Sequence, residues 1–156
     1  AKGQIAIFNR SHYEDIIAVR VKKIFPDPVW KRRYKHVLDF EAMLAEEGTV
    51  IIKLFLNISK AEQKKRLESR LQDPDKLWKF CMDDLDDRNR WDEFQTAYQD
   101  LIEKTSTPEA PWYIIPADRK WYRNLVVARL MVEKLRHLQL SLPTPNFDPA
   151  SIIIPD

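Results

Sequence analysis

Three groups of side chains have the types and spacing that phosphoryl transfer asks for, a reaction that needs cations and metal-oriented oxygens more than covalent chemistry. The first is Asn9, Arg10, Glu14 and Asp15, placed directly behind the apolar run Ile5-Ala6-Ile7-Phe8. The second is basic: Lys60, Lys64, Lys65, Arg66, Arg70, Lys76 and Lys79 outnumber the interspersed Glu62, Glu68, Asp73 and Asp75. Arg66 and Arg70 lie four apart, so a helix sets both guanidinium groups on one face, where they can grip successive phosphates of a polyanion. The third is Asp118-Arg119-Lys120-Trp121-Tyr122-Arg123-Asn124. Plainer readings stand beside these. Asn9 or Ser11 can cap a helix whose surface charges mean nothing further, and the basic stretch can be a solvated face of intrahelical ion pairs.

The elements that would position these groups follow from the apolar pattern. Gln4 to Phe8 reads as a buried strand of a parallel sheet, and ligands of such sheets gather where the strands end. His12 to Phe25 suits a helix stopped by Pro26. Asp27 as N-cap and Pro28 in the first turn open a long amphipathic helix to Glu47, with Trp30, Tyr34, Val37, Leu38, Phe40 and Leu44 on one face and Gly48 as C-cap. Thr49 to Leu56 is a second strand, its one charged member, Lys53, expected to snorkel toward an edge or a site, with plain snorkelling the favoured reading. Ser59 and Glu62 make a capping box for a helix reaching about Leu71, interrupted by Asp73-Pro74. The acidic residues Asp83, Asp84, Asp86 and Asp87 could bind a cation but are read first as capping the next helix, and that one helix carries Trp91, Phe94, Tyr98, Leu101 and Ile102 as a core face and ends before Pro108. Trp112 to Ile115 is a third strand. The next helix, about Asp118 to Leu140, is apolar on more than one face and is expected to be largely buried. From Ser141 the chain is rich in proline, a tail lying extended on the domain or on a neighbouring subunit. Strand, helices, strand, helices, strand, helix implies an α/β domain with a parallel sheet, here incomplete at three strands.

Composition narrows the chemistry. The 156 residues suit one domain, and a net charge of +2 lacks the positive excess of a typical nucleic-acid binder. No apolar run approaches membrane-spanning length and no signal peptide opens the chain, so a soluble cytoplasmic protein is expected. The single Cys81 fits a reducing compartment and has no evident activating partner. Gly3 and Gly48 are the only glycines, which excludes a Gly-rich phosphate loop within these residues. His12, His36 and His137 have no metal-ligand spacing with one another or with Cys81, and no Ser-His-Asp arrangement emerges.

Four ordered segments then carry a resemblance. Ile7-Phe8-Asn9-Arg10-Ser11-His12-Tyr13-Glu14-Asp15, Phe55-Leu56-Asn57-Ile58-Ser59-Lys60-Ala61-Glu62-Gln63, Asp73-Pro74-Asp75-Lys76-Leu77-Trp78-Lys79, and Ala110-Pro111-Trp112 through Ile115-Pro116-Ala117-Asp118-Arg119-Lys120-Trp121-Tyr122-Arg123-Asn124 resemble the polyphosphate kinase 2 family over nearly the whole chain. The resemblance implies a P-loop kinase-like, three-layer α/β/α domain over residues 1–140 with a helical lid at about 60–90, and 141–156 as the tail. It implies magnesium-dependent transfer between inorganic polyphosphate and nucleotides such as ADP or AMP, and a homo-oligomer. Asn9 and Arg10 would sit beside the phosphates in the Walker B element, Glu14 and Asp15 in the same acidic motif. Arg66 and Arg70 would close on polyphosphate or on the transferred phosphoryl group, Arg70 in a catalytic role, with Lys76 and Lys79 nearby, and Asp118, Lys120 and Arg123 would approach the nucleotide.

Two departures qualify this picture. The family's Walker A loop should precede Ala1, so the isolated chain is expected to be inactive. Asn9 stands where many relatives carry Asp and offers a neutral oxygen, which leaves the direct metal ligands open and resembles a branch permissive for nucleoside mono- and diphosphates. A non-catalytic polyanion-binding module, with affinity falling steeply in salt, is the alternative of another class. A third reading is a truncated or incompletely recorded chain with no activity of its own.

Overall fold

A computed structural model describes residues 3–155. The elements in order are α1 (Glu14–Val21), α2 (Asp27–Glu46), β1 (Lys53–Asn57), α3 (Lys60–Gln72), a 3-10 turn (Pro74–Lys79), α4 (Asp83–Asn89), α5 (Trp91–Thr105), β2 (Trp112–Pro116), α6 (Lys120–His137) and a second 3-10 turn (Pro149–Ser151). The sheet is parallel and two-stranded among the described residues, running from Lys53 opposite Trp112 to Asn57 opposite Pro116. The fold class is therefore α/β, with two strands where the pattern predicts three.

The missing strand is the one expected at Ile5 to Phe8. That run is extended but has no ladder partner, and Ile7 and Phe8 are 86% and 80% exposed. Local propensity cannot pair a strand by itself. A segment apolar on both faces needs neighbours, and β1 pairs only with β2.

Helices α1, α2 and α5 pack together and hold the core: Ile16, Ile17, Val19, Val21, Trp30, Val37, Ala97 and Leu101. Pro28 sits in the first turn of α2 as expected, but the N-cap is Pro26, and the Asp27 carboxylate accepts from Trp30 Nε1 and Lys31 Nζ instead of from the backbone. Helix α1 is shorter than the pattern predicts because Lys23 turns into the left-handed region, with φ at 53°. Gly48, with φ at 82°, terminates α2 as a glycine does at little steric cost. The sheet alternates as β structure must. Phe55 lies against Tyr98 of α5 with ring centroids 4.9 Å apart, while Leu54 and Leu56 face the other way, toward α6.

Helix α6 is the second correction. It packs on β2, yet none of its residues is buried, and Trp121 is 62% exposed. Its multi-sided apolar character has no matching cover, because only two strands stand beside it. The tail from Ser141 has one short turn, Pro149–Ser151, and its described residues are exposed. No helix among the described residues is long and apolar enough to cross a membrane.

One ion pair ties α1 to α5: Arg20 Nη1 donates to Asp100 Oδ2 at 2.6 Å and holds the Asp100 carboxyl below its ordinary range. A carboxyl with a depressed folded-state pKa contributes stability above its unfolded value and loses it as the pH falls through the folded one. The two side chains remain 23% and 32% exposed, so solvent screening limits the pair to about 0.5–1 kcal/mol. Urea unfolding of the full-length protein should weaken below about pH 4, and Asp100→Asn should remove part of that decline. A variant with the wild-type pH slope would show that this pair contributes nothing.

Candidate active site

The chain gathers polar groups alongside β1. An open groove of about 460 Å³ is lined by Phe8, Asn9, Arg10, Leu54, Leu56, Arg123, Asn124, Val127 and Ala128. The stretch after Phe8 and the first turns of α6 thus meet across β1. Arg10 has φ at 70°, an uncommon conformation for a residue with a side chain. Its Nε donates to Glu14 Oε1 at 2.5 Å, which raises the guanidinium pKa. Arg123 donates through Nε and Nη2 to Asn124 Oδ1 at 3.1 and 2.8 Å. The lining therefore carries two guanidinium groups and two amides and no carboxylate, a composition suited to anionic oxygens.

Among the residues singled out from the sequence, Asn9, Arg10 and Arg123 come together in this groove, with Glu14 behind Arg10. Asp15 does not join them. It is 74% exposed, its carbonyl oxygen accepts from Arg33 Nη1 at 2.6 Å, and its carboxylate lies 4.0 Å from the same group. Lys120 is exposed in the first turn of α6.

The basic segment forms a helical body in which α3 packs against the 3-10 turn that follows it. Ser59 caps α3 by accepting from the Glu62 amide at 3.0 Å, but the reciprocal half of the capping box is absent: Ser59 N donates to Asp118 Oδ1 at 2.7 Å, and Glu62 turns to Arg66. The Ser59 amide holds the Asp118 carboxyl below its ordinary value. Arg66 Nε donates to Glu62 Oε1 at 2.8 Å, and its Nη2 donates to the carbonyl oxygens of Ala117 and Asp118 at 2.7 and 3.2 Å. Arg70 is held more loosely, 3.4 Å from Asp84 Oδ2. Lys76 pairs with Asp73, Lys79 lies over the Trp78 ring at 5.0 Å, and Arg88 joins α4 to α3 through Lys60 O and Gln63 Oε1. The partners of Arg66, Arg70, Lys76 and Lys79 all lie within this body or at its root, and none lines the groove.

A buried polar cluster beneath the groove escaped sequence reasoning. Lys53, expected to snorkel outward, is 6% exposed and donates to Glu41 Oε2 at 2.7 Å, Tyr13 Oη at 3.0 Å and Thr105 O at 2.6 Å. Tyr13 Oη donates to Glu41 Oε1 at 2.7 Å, and Trp112 Nε1 to Thr105 Oγ1 at 2.9 Å. Burial pushes the Lys53 ammonium down, opposed by Glu41, and pushes the Tyr13 hydroxyl well up, with the Glu41 hydrogen bond adding to the rise. One signal was available. Glu41 falls four residues after Val37 on the core face of α2, where an acid requires a partner.

Parallel strands flanked by helices, with cationic and amide groups gathered beside β1, belong to a kinase-like α/β protein. The chain belongs to the polyphosphate kinase 2 family, whose family model, Polyphosphate kinase 2 (PPK2), matches residues 1–142. It is 53% identical over 153 residues to the AMP/ADP-polyphosphate phosphotransferase of Meiothermus ruber, covering 98% of this chain and 57% of that protein. It is 37% identical to the ADP-polyphosphate phosphotransferase of Rhodopseudomonas palustris, covering 91% and 53% of the two chains. The crystal structure of polyphosphate kinase 2 from Arthrobacter aurescens superposes with a TM-score of 0.88 at 47% identity, covering 92% of this chain and 51% of the other. The chain thus spans about half the length of the curated relatives it matches.

Proposed function

We propose that this chain is the later portion of a polyphosphate-dependent nucleotide kinase that moves phosphate between inorganic polyphosphate and nucleoside mono- or diphosphates. The observation that supports this most is the groove beside β1, where Asn9, Arg10, Arg123 and Asn124 meet without a carboxylate, in a member of a family whose relatives are named for this transfer. In this reading residues 1–140 are part of one domain, the stretch of about 60–90 is its lid, and 141–156 is a tail. Arg10, fixed by Glu14, and Asn9 face the phosphates from the Walker B side, with Asp15 in the same motif. Arg70 comes down with the lid, Lys76 and Lys79 add positive charge along polyphosphate, and Arg123 and Lys120 approach the nucleotide from α6. The unpaired run Ile5 to Phe8 and the open groove beside β1 accommodate a further strand and its phosphate-binding loop. The proposal includes a homo-oligomer in the cytoplasm.

Magnesium is part of the proposal as the ion that neutralises the phosphate oxygens. The described residues do not supply a cage for it. They contain no group of three or more His, Cys, Asp or Glu side chains able to hold a metal, and Asn9 offers only a neutral oxygen.

The test is direct. The full-length protein, given polyphosphate, magnesium and ADP or AMP, should form the next higher phosphate of the nucleotide, followed by chromatography, while residues 1–156 alone should form none. Absence of transfer with every acceptor tried would overturn the kinase reading, and transfer by the isolated chain would overturn the need for an upstream phosphate loop.

A further inference from the structure

Arg66 is spoken for. Three of its donor interactions are used, one on Glu62 and two on carbonyl oxygens 51 and 52 residues away in the loop that leaves β2. That loop is itself rigidly placed: the ladder continues past its last pair through Ala117 N to Asn57 O at 2.8 Å, and then through Ser59 N to Asp118 Oδ1 at 2.7 Å. Charge points the same way. Two carboxylates, Glu62 and Asp118, act on this one guanidinium and offset its attraction for a polyanion. Arg70, by contrast, has a single long contact to Asp84.

Building on the kinase reading, we propose that Arg66, Asp118 and Ser59 form a latch at the root of the lid, in which Arg66 is a positioning residue that aims Arg70 and is not itself a phosphate ligand. Four helical residues advance about 6 Å and slightly more than one turn, so fixing Arg66 to the β2 loop fixes the rotation of α3 and with it the direction in which Arg70 projects. Only arginine suits this role. Its Nη2 donates to both carbonyls while Nε, fixed in the same plane, donates to Glu62, a directional pair of donor nitrogens that lysine's one rotating ammonium does not reproduce.

The experiment uses the full-length protein and the variants Arg66→Ala, Arg66→Lys, Asp118→Ala and the Arg66→Ala/Asp118→Ala pair. Both Arg66 variants should lower kcat by about 10- to 100-fold, the scale of a small misplacement of a catalytic group, with KM for polyphosphate and its salt dependence unchanged. The double variant should lose no more than the worse single one. A raised KM whose salt slope drops by about one, restored by lysine, would make Arg66 a phosphate ligand and overturn the latch. If the wild-type protein transfers no phosphate, the kinase reading fails, and thermal unfolding decides the latch: coupled losses from Arg66→Ala and Asp118→Ala support it, and additive losses overturn it.

Discussion

Arg70→Ala in the full-length protein is expected to lower kcat by on the order of a thousandfold with little change in KM for nucleotide, the loss seen when an arginine that stabilises a transferring phosphoryl group is removed. The expectation comes from how Arg70 is held. It sits in the last turn of α3, its side chain 39% exposed, and its one partner is Asp84 at 3.4 Å, beyond a strong charge-assisted bond. Such a guanidinium exchanges its partner for a phosphate at little cost, whereas Arg66 would have to break three short contacts. Steady-state kinetics with polyphosphate varied at saturating nucleotide separates the possibilities. A loss confined to KM would make Arg70 a grip on polyphosphate, and wild-type constants would remove it from the site.

The other large effect is on folding. Lys53→Met alone should cost about 3–5 kcal/mol, because it leaves the Glu41 carboxylate buried without its cation. Glu41→Leu alone should be similarly costly, stranding the ammonium. The paired Lys53→Met/Glu41→Leu variant should be much milder, since two apolar side chains of similar size replace two charges whose desolvation offsets most of their attraction. The losses fall on the junction of α2, β1 and the residue ahead of α1, the last through Tyr13 Oη. Typical domains are stable by only about 5–15 kcal/mol, so the single variants approach the limit of folding. Denaturant unfolding measures all three, and a single variant costing less than about 1 kcal/mol would mean that water already reaches the pair.

The sequence was legible wherever the determinant is local. Pro28, Gly48 and the apolar face from Trp30 define α2 to within a residue of its observed end, and Ser59 caps α3 as its spacing predicts. Trp112 to Ile115 forms its strand, one residue shorter than observed. Legibility failed where an element depends on a partner far away. Ile5 to Phe8 has strand residues but no strand beside it, α6 has a buried helix's composition but no cover, and Lys53 looked like an edge lysine until Glu41, Thr105 and Tyr13 closed around it.

The candidate site divides along the same line. The sequence by itself determined the family and the basic character of the segment from Lys60 to Lys79, because motif order and composition are properties of the chain. Only the tertiary structure decided that Arg10 and Arg123 share a groove, that Asp15 turns away, and that Arg66 and Arg70, one turn apart on one face, have different partners. The physical reason is that a side chain's hydrogen bonds are set by what the fold brings within about 3 Å of it, and the β2 loop that takes up Arg66 lies 51 residues along the chain.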